Sequence, residues 1–99
     1  MADYTIEIPG NPNGVEMQIG DRLIILYRTP AKFCVSSGNA NAFNPPLPVG
    51  VARQQNGAWE GIATSMTTIH FSSVGNGQNC GAPNPRNVGP GTIKVGTGK

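Results

Sequence analysis

Histidine occurs once in this chain, at His70, and cysteine twice, at Cys34 and Cys80. Carboxylates number five, at Asp3, Glu7, Glu16, Asp21 and Glu60. These shortages exclude a good deal of chemistry. Most side-chain metal sites draw three or four Cys, His or carboxylate ligands to one point. Most acid–base and nucleophilic machinery needs a histidine or paired carboxylates. The carboxylates are scattered, so neither a glycosidase pair at fixed spacing nor an acidic calcium cluster is indicated. Ser72 lies two positions from His70, yet no orienting carboxylate accompanies them. No nucleophile motif flanks either cysteine. The expectation is a non-enzymatic chain with no cofactor and no metal.

Charge is scarce as well. Charged residues make up 12% of the chain, and the net charge is +2. The seven basic residues are spread along the chain and form no phosphate-tracking stripe. One Trp, two Tyr and three Phe are too few and too scattered for a base-stacking platform. Nucleic-acid binding is therefore not expected. The longest apolar run, residues 23–27, is far too short to span a membrane. No basic region followed by an apolar stretch opens the chain. We expect a soluble chain, or a mature form whose leader has given way to Met1. The Gly-rich tracts at 75–77 and 89–91 lack the strand-to-helix context of a phosphate loop, so they are expected to make turns.

What is abundant is turn chemistry, with 14 Gly and 9 Pro in 99 residues, both above average usage. The polar surface must be built from Asn, Gly, Ser, Thr and Gln. Such compositions are common in secreted, periplasmic, envelope and virion β-proteins, so a secreted, periplasmic or virion/cell-surface location is expected. The length suits one domain, residues 1–99.

Helical periodicity is absent, whereas period-2 alternation is plain. Tyr4, Ile6 and Ile8 share a face, with Thr5 and Glu7 opposite. After a turn at 9–14, Val15, Met17 and Ile19 form the next apolar face. This would let Glu7 and Glu16 meet across a hairpin on the solvent side. Residues 23–27 are apolar on both faces and predict a central strand covered on both sides. Phe33 and Val35 point one way and Cys34 the other. Residues 36–48 predict a long loop with room for one turn of helix. Residues 49–53 and 58–64 bracket Gln55-Asn56-Gly57, a hairpin signal because Asn and Gly tolerate positive φ. Residues 66–74 predict a strand with Ile69 and Phe71 on one face and His70 on the other. Residues 75–90 form a second long loop carrying Cys80, and 92–95 a final strand with Ile93 and Val95 inward. Seven or eight short strands at this spacing predict an all-β fold, a single antiparallel Greek-key β-sandwich.

Two stretches resemble the cupredoxin family. Val15-Glu16-Met17-Gln18-Ile19-Gly20-Asp21-Arg22-Leu23-Ile24-Ile25 is similar to its second-strand signature, an alternating strand, a Gly-Asp bend and an apolar strand. Cys80-Gly81-Ala82-Pro83, followed by a loop to Gly91 and then Thr92-Ile93-Lys94-Val95, is similar to its ligand loop and last strand. The middle of the chain does not share the likeness, and an immunoglobulin-like sandwich fits the strand pattern too. The resemblance implies a cupredoxin-like sandwich without the copper ligands. A blue-copper site needs a Cys thiolate and two imidazoles, and this chain has one. Asn84 stands where the family carries the His after its Cys, and Val88 or nothing where Met would follow. Copper electron transfer is therefore not expected.

In such a fold the regions of Cys34 and Cys80 meet at the metal end of the sandwich, so the resemblance implies a disulfide there. An even cysteine count in a small, low-charge domain is consistent with it. Two independent free thiols, with Cys34 packed as a small apolar group, remain the alternative. Trp59 reads either as a core tryptophan or, beside Asn, Gln and Arg, as a sugar-stacking platform. Phe43, on the Pro-stiffened 36–48 loop, is expected to be partly exposed as a partner contact. Together with Asn41, Asn84 and Arg86, these two make up the candidate binding residues. The functional expectation is a binding or structural module, with the 36–48 and 75–90 loops making contacts at one end. The expected partner is another protein or a copy of the chain itself, with a carbohydrate-binding module led by Trp59 as the second possibility.

Overall fold

The computed structural model describes residues 2–8, 14–75, 77–80 and 91–96. Nine strands form two facing sheets: β1 (Asp3–Ile8), β2 (Val15–Gln18), β3 (Arg22–Tyr27), β4 (Ala31–Ser37), β5 (Phe43–Asn44), β6 (Ala52–Arg53), β7 (Ala58–Ala63), β8 (Thr67–Gly75) and β9 (Gly91–Gly96). A single 3-10 turn, Ala40–Ala42, precedes β5. One sheet has the order β1-β3-β7-β5 and the other β2-β9-β8-β4-β6. The all-β sandwich is thus as expected, with the two-residue β5 added within the expected 36–48 loop and the expected 49–53 run shortened to β6.

The alternation sorts the side chains as period 2 requires. Ile6, Ile8, Met17, Leu23, Ile25, Tyr27, Phe33, Ile69, Phe71, Ile93 and Val95 are buried between the sheets. Phe33 and Phe71 stack with ring centroids 5.3 Å apart. Trp59 and Phe43 meet edge to face at 6.0 Å. Gly61 makes room for the indole. A Cβ there would lie 2.5 Å from Trp59 Cη2, so the ring fills the space a side chain would need.

Four details differ from expectation. First, β1 pairs with β3, and β2 with β9, in parallel, while the other ladders are antiparallel. Second, every connection from β1 to β8 crosses between the sheets, and only β8–β9 stays within one. The Asn56-Gly57 turn therefore makes no hairpin. Asn56 has φ +66°, as a tight turn needs, but its N–H bonds to Tyr27 O at 2.6 Å, and Gly57 O accepts from Tyr27 N at 2.9 Å. Third, Glu7 and Glu16 lie on different sheets. Glu7 meets Arg28 and Glu16 meets Lys94. Fourth, β3 is central, yet its outer face is not covered by another layer. Leu23, Ile25 and Tyr27 are buried, while Ile24 and Leu26 remain half-buried.

The long strand β8 separates the two ends of the sandwich. At one end Asn39 N–H donates to Thr67 Oγ1, and Thr64 N–H to Ala42 O. At the other, β4 begins opposite Gly75, and Tyr27 carries the 54–57 turn. Nine strand residues at about 3.3 Å each hold these ends apart. The 36–48 loop leaves from the first end and the loop after Gly75 from the second. The two loops thus leave their strands at opposite ends because β4 and β8 run antiparallel, whereas the expectation placed their contacts at one end; residues 76 and 81–90 of the second loop lie outside the described residues.

Candidate functional site

Cys34 lies on the outer face of β4, opposite Ser72. It is only 5% exposed, although an outward residue would normally face water. The covering comes from the segment after β8. Gln78 N–H bonds to Gly75 O at 2.9 Å, and Gly75 N–H returns a bond to Gln78 Oε1 at 3.1 Å. Cys80 is bonded to Cys34 through a disulfide, with Cα atoms 5.6 Å apart. Val74, also outward on β8, is 4% exposed. Neither sulfur is a free thiol.

The other candidates are dispersed. Trp59 is 6% exposed and Phe43 2%. Both rings belong to the core, which corrects their assignment as contact residues. Neither offers a ring face to a sugar or a partner, because large aromatic rings gain most from burial in a small core. Asn41 is exposed, but it lies in the 3-10 turn at the end away from Gly75. Its N–H donates to Asn39 Oδ1 at 3.0 Å, which is turn chemistry. Asn84 and Arg86 lie outside the described residues. His70 is exposed in mid-sheet, with Nδ1 3.3 Å from Thr92 Oγ1. Among the described residues, no group of three or more His, Cys, Asp or Glu side chains could hold a metal ion, and no helix is long and apolar enough to cross a membrane.

Electrostatics picks out two residues that the sequence does not single out. All five carboxylates are engaged. Arg22 serves Asp3 and Glu60, Arg28 serves Glu7, and Lys94 serves Glu16, all at the surface. Asp21 accepts from the N–H groups of Ala2 and Gln18, both at 2.9 Å. That leaves Lys32 and Arg53, near the β4–β6 edge but on opposite faces of the sheet, as cations with no carboxylate partner among the described residues. Arg53 stacks over the Tyr27 ring, its guanidinium carbon 5.8 Å from the centroid. Burial pushes the Tyr27 phenol above its ordinary value, and the nearby Arg53 charge pulls the other way. No spacing in the sequence signals this pair, because Tyr27 and Arg53 meet only through the turn that crosses between the sheets.

Asp21 carries a pH prediction. Its two backbone hydrogen bonds hold its carboxyl below the ordinary value. The folded state then binds this proton more weakly than the unfolded chain. Its stabilising effect is full above the ordinary carboxylate range and drains as pH falls through the lowered value. Asp21→Asn should reduce stability at neutral pH and flatten the acid limb of a melting-temperature profile. An acid limb as steep as that of the unsubstituted chain would refute the assignment.

No protein-family profile and no curated protein matches the chain. Among solved structures, a methionine-to-glutamine mutant of amicyanin with Cu(I) is similar, at a TM-score of 0.58 and 13% identity, covering 94% of this chain and 81% of that one. At that identity the likeness speaks for the fold alone, and the chain has a cupredoxin-like β-sandwich fold.

Proposed function

We propose that this chain is a non-catalytic binding module that contacts a protein partner, or a further copy of itself, at the end formed by residues 28–30, 54–57 and 77–80. The observation that carries this reading is the Cys34–Cys80 disulfide. It takes up the sulfur that the cupredoxin-like ligand loop would offer a metal. It also pins the loop after β8 to the sheet at that point. A loop held on a rigid scaffold loses little entropy when it binds, which favours recognition. The disulfide also favours an extracellular or periplasmic setting.

The test is selection of peptide ligands on the folded, oxidised chain, followed by amide chemical-shift mapping. Selected ligands should perturb residues 28–30, 54–57 and 77–80 and leave 38–42 and 64–66 unmoved. Perturbation confined to 38–42 and 64–66, or a selection that yields no ligand, would overturn the reading. Intense blue colour with copper in the oxidised chain would overturn it equally.

A further inference from the structure

We propose that β1 is a docking edge for a second copy of this chain, which adds its own β1 antiparallel about a two-fold axis and brings the two Tyr4 rings together. The inference goes beyond the contact reading above and does not rest on it. Tyr4 pairs with Leu23, at the end of β3 away from residues 28–30.

The first observation is a row of backbone groups with no strand beside it. β1 stands at the edge of the four-stranded sheet, with β3 on one side only. Arg22 N–H donates to Ala2 O and Arg28 N–H to Ile8 O, both at 2.8 Å, at the two ends of their parallel ladder. Alternation then turns the N–H and C=O groups of Tyr4 and Ile6 toward β3 as well, and those of Asp3, Thr5 and Glu7 away from it. Among the described residues, none forms a backbone hydrogen bond with Asp3, Thr5 or Glu7 on that open side. Groups that alternate in this way are matched by another extended strand.

The second observation is that this edge is long and unblunted where the others are not. β1 has six residues, whereas the edge strands β5 and β6 have two each and β2 has four. On β2, the Gln18 N–H is taken by the Asp21 carboxylate and the Gln18 carbonyl by the Asp21 N–H. Natural edges are commonly blunted by Lys, Pro or a bulge. β1 has no Lys and no Pro, and its register with β3 is unbroken. Its two carboxylates, Asp3 and Glu7, are drawn to Arg22 and Arg28, which offsets the charge that would repel a copy.

The third observation is that the edge complements itself. Only Asp3, Thr5 and Glu7 can form the hydrogen-bonded pairs of such a junction. Centred on Thr5, the pairing would set Asp3 against Glu7 of the second copy twice, and like charges directly opposite are destabilising. Centred on Ile6, it would join side chains that are already fully buried. Centred on Tyr4, Asp3 faces Thr5 in both directions, and the two Tyr4 side chains meet as a non-hydrogen-bonded pair, where side chains lie closest. Tyr4 is the half-buried member of the inward row and packs against the core. Its uncovered surface gives the junction a cross-strand aromatic contact.

The test is sedimentation equilibrium of the oxidised full chain over a concentration series reaching millimolar, alongside Thr5→Pro and Thr5→Asp. The unsubstituted chain should pass from the mass of one chain to that of two and stop there, since the two-fold pairing uses up the edge. Thr5→Pro should weaken the dimer about tenfold or more, because symmetry removes an N–H donor from both copies. It spares the ladder with β3, to which the Thr5 N–H does not contribute, and Pro is tolerated on the open side of an edge strand. Thr5→Asp keeps the donor and sets a carboxylate opposite Asp3 of the second copy. It should weaken the dimer too, which guards against a fold defect in the proline variant. Oxidative cross-linking of the dimer should yield a dityrosine that joins Tyr4 to Tyr4. A chain that stays monomeric across the series would overturn the proposal. So would a dimer of unchanged affinity in Thr5→Asp, or one whose cross-link does not involve Tyr4. Ligand selection at residues 28–30 and 54–57 is a separate measurement, so either reading can fail while the other stands.

Discussion

Removing the Cys34–Cys80 bond should cost the fold about 4 kcal/mol, on the chain-entropy estimate for a loop of this length. The bond joins positions 46 residues apart. Cutting it restores to the unfolded chain the freedom that the closed loop denies it. Small domains are stable by only about 5–15 kcal/mol in all, so the change is a large share. Cys34→Ala with Cys80→Ala is the suitable variant, because Cys34 is buried and a serine hydroxyl there would lack a partner. Urea unfolding of the oxidised chain and the double variant measures the difference. Within the native state the effect should be local. The 77–80 segment should lose protection from proteolysis, while the amides of β1, β3 and β7 keep theirs. A stability loss below about 1 kcal/mol would show that the staple does little in this fold.

The strand faces were legible because burial follows a simple rule. Tyr4, Ile6 and Ile8, then Leu23, Ile25 and Tyr27, then Ile69 and Phe71, then Ile93 and Val95 all turn inward where alternation puts them. What alternation cannot say is which sheet a strand joins. The Asn56-Gly57 turn has the local geometry of a hairpin and yet leads from one sheet to the other. The same blindness misplaced Glu7 opposite Glu16. Nor can alternation foresee cover. Cys34 and Val74 point outward and are still buried, because a crosslinked segment lies over them. Phe43 lies in a segment that looked open, and Trp59 in a strand that left core and surface readings both possible. Gly61, two residues along the same face from Trp59, is the local sign that the indole folds back onto the sheet. The Arg53–Tyr27 pair has no sequence signal, since the meeting depends on where a connection crosses. The cysteine pairing was reached through the family resemblance, and residues 34 and 80 carry no pairing signal of their own.

Phe33→Ala should cost about 3–5 kcal/mol, the usual range when a buried aromatic is truncated and a cavity remains. Phe33 is fully buried and stacks on Phe71 across the β4–β8 ladder, so neighbouring backbone is tied into the sheet and closes poorly around the gap. Its effect differs in origin from that of the disulfide, since the cavity weakens the native state and the crosslink acts mainly on the unfolded one. The backbone of Phe33 also meets the 49–50 segment. Its carbonyl accepts from Gly50 N–H at 2.8 Å, and it bridges to Val49. Those backbone contacts survive in Phe33→Ala, so the loss should come from the cavity, whereas Val49→Ala, at an exposed position, should leave stability within about 0.5 kcal/mol. Combining Phe33→Ala with loss of the adjacent crosslink would remove about 7–9 kcal/mol if the two effects added. That sum lies within the range of a whole small domain's stability, so the combined variant should be largely unfolded at room temperature. A cooperative thermal transition in that variant, with near-ultraviolet dichroism intact, would show that the core does not depend on the Phe33–Phe71 stack.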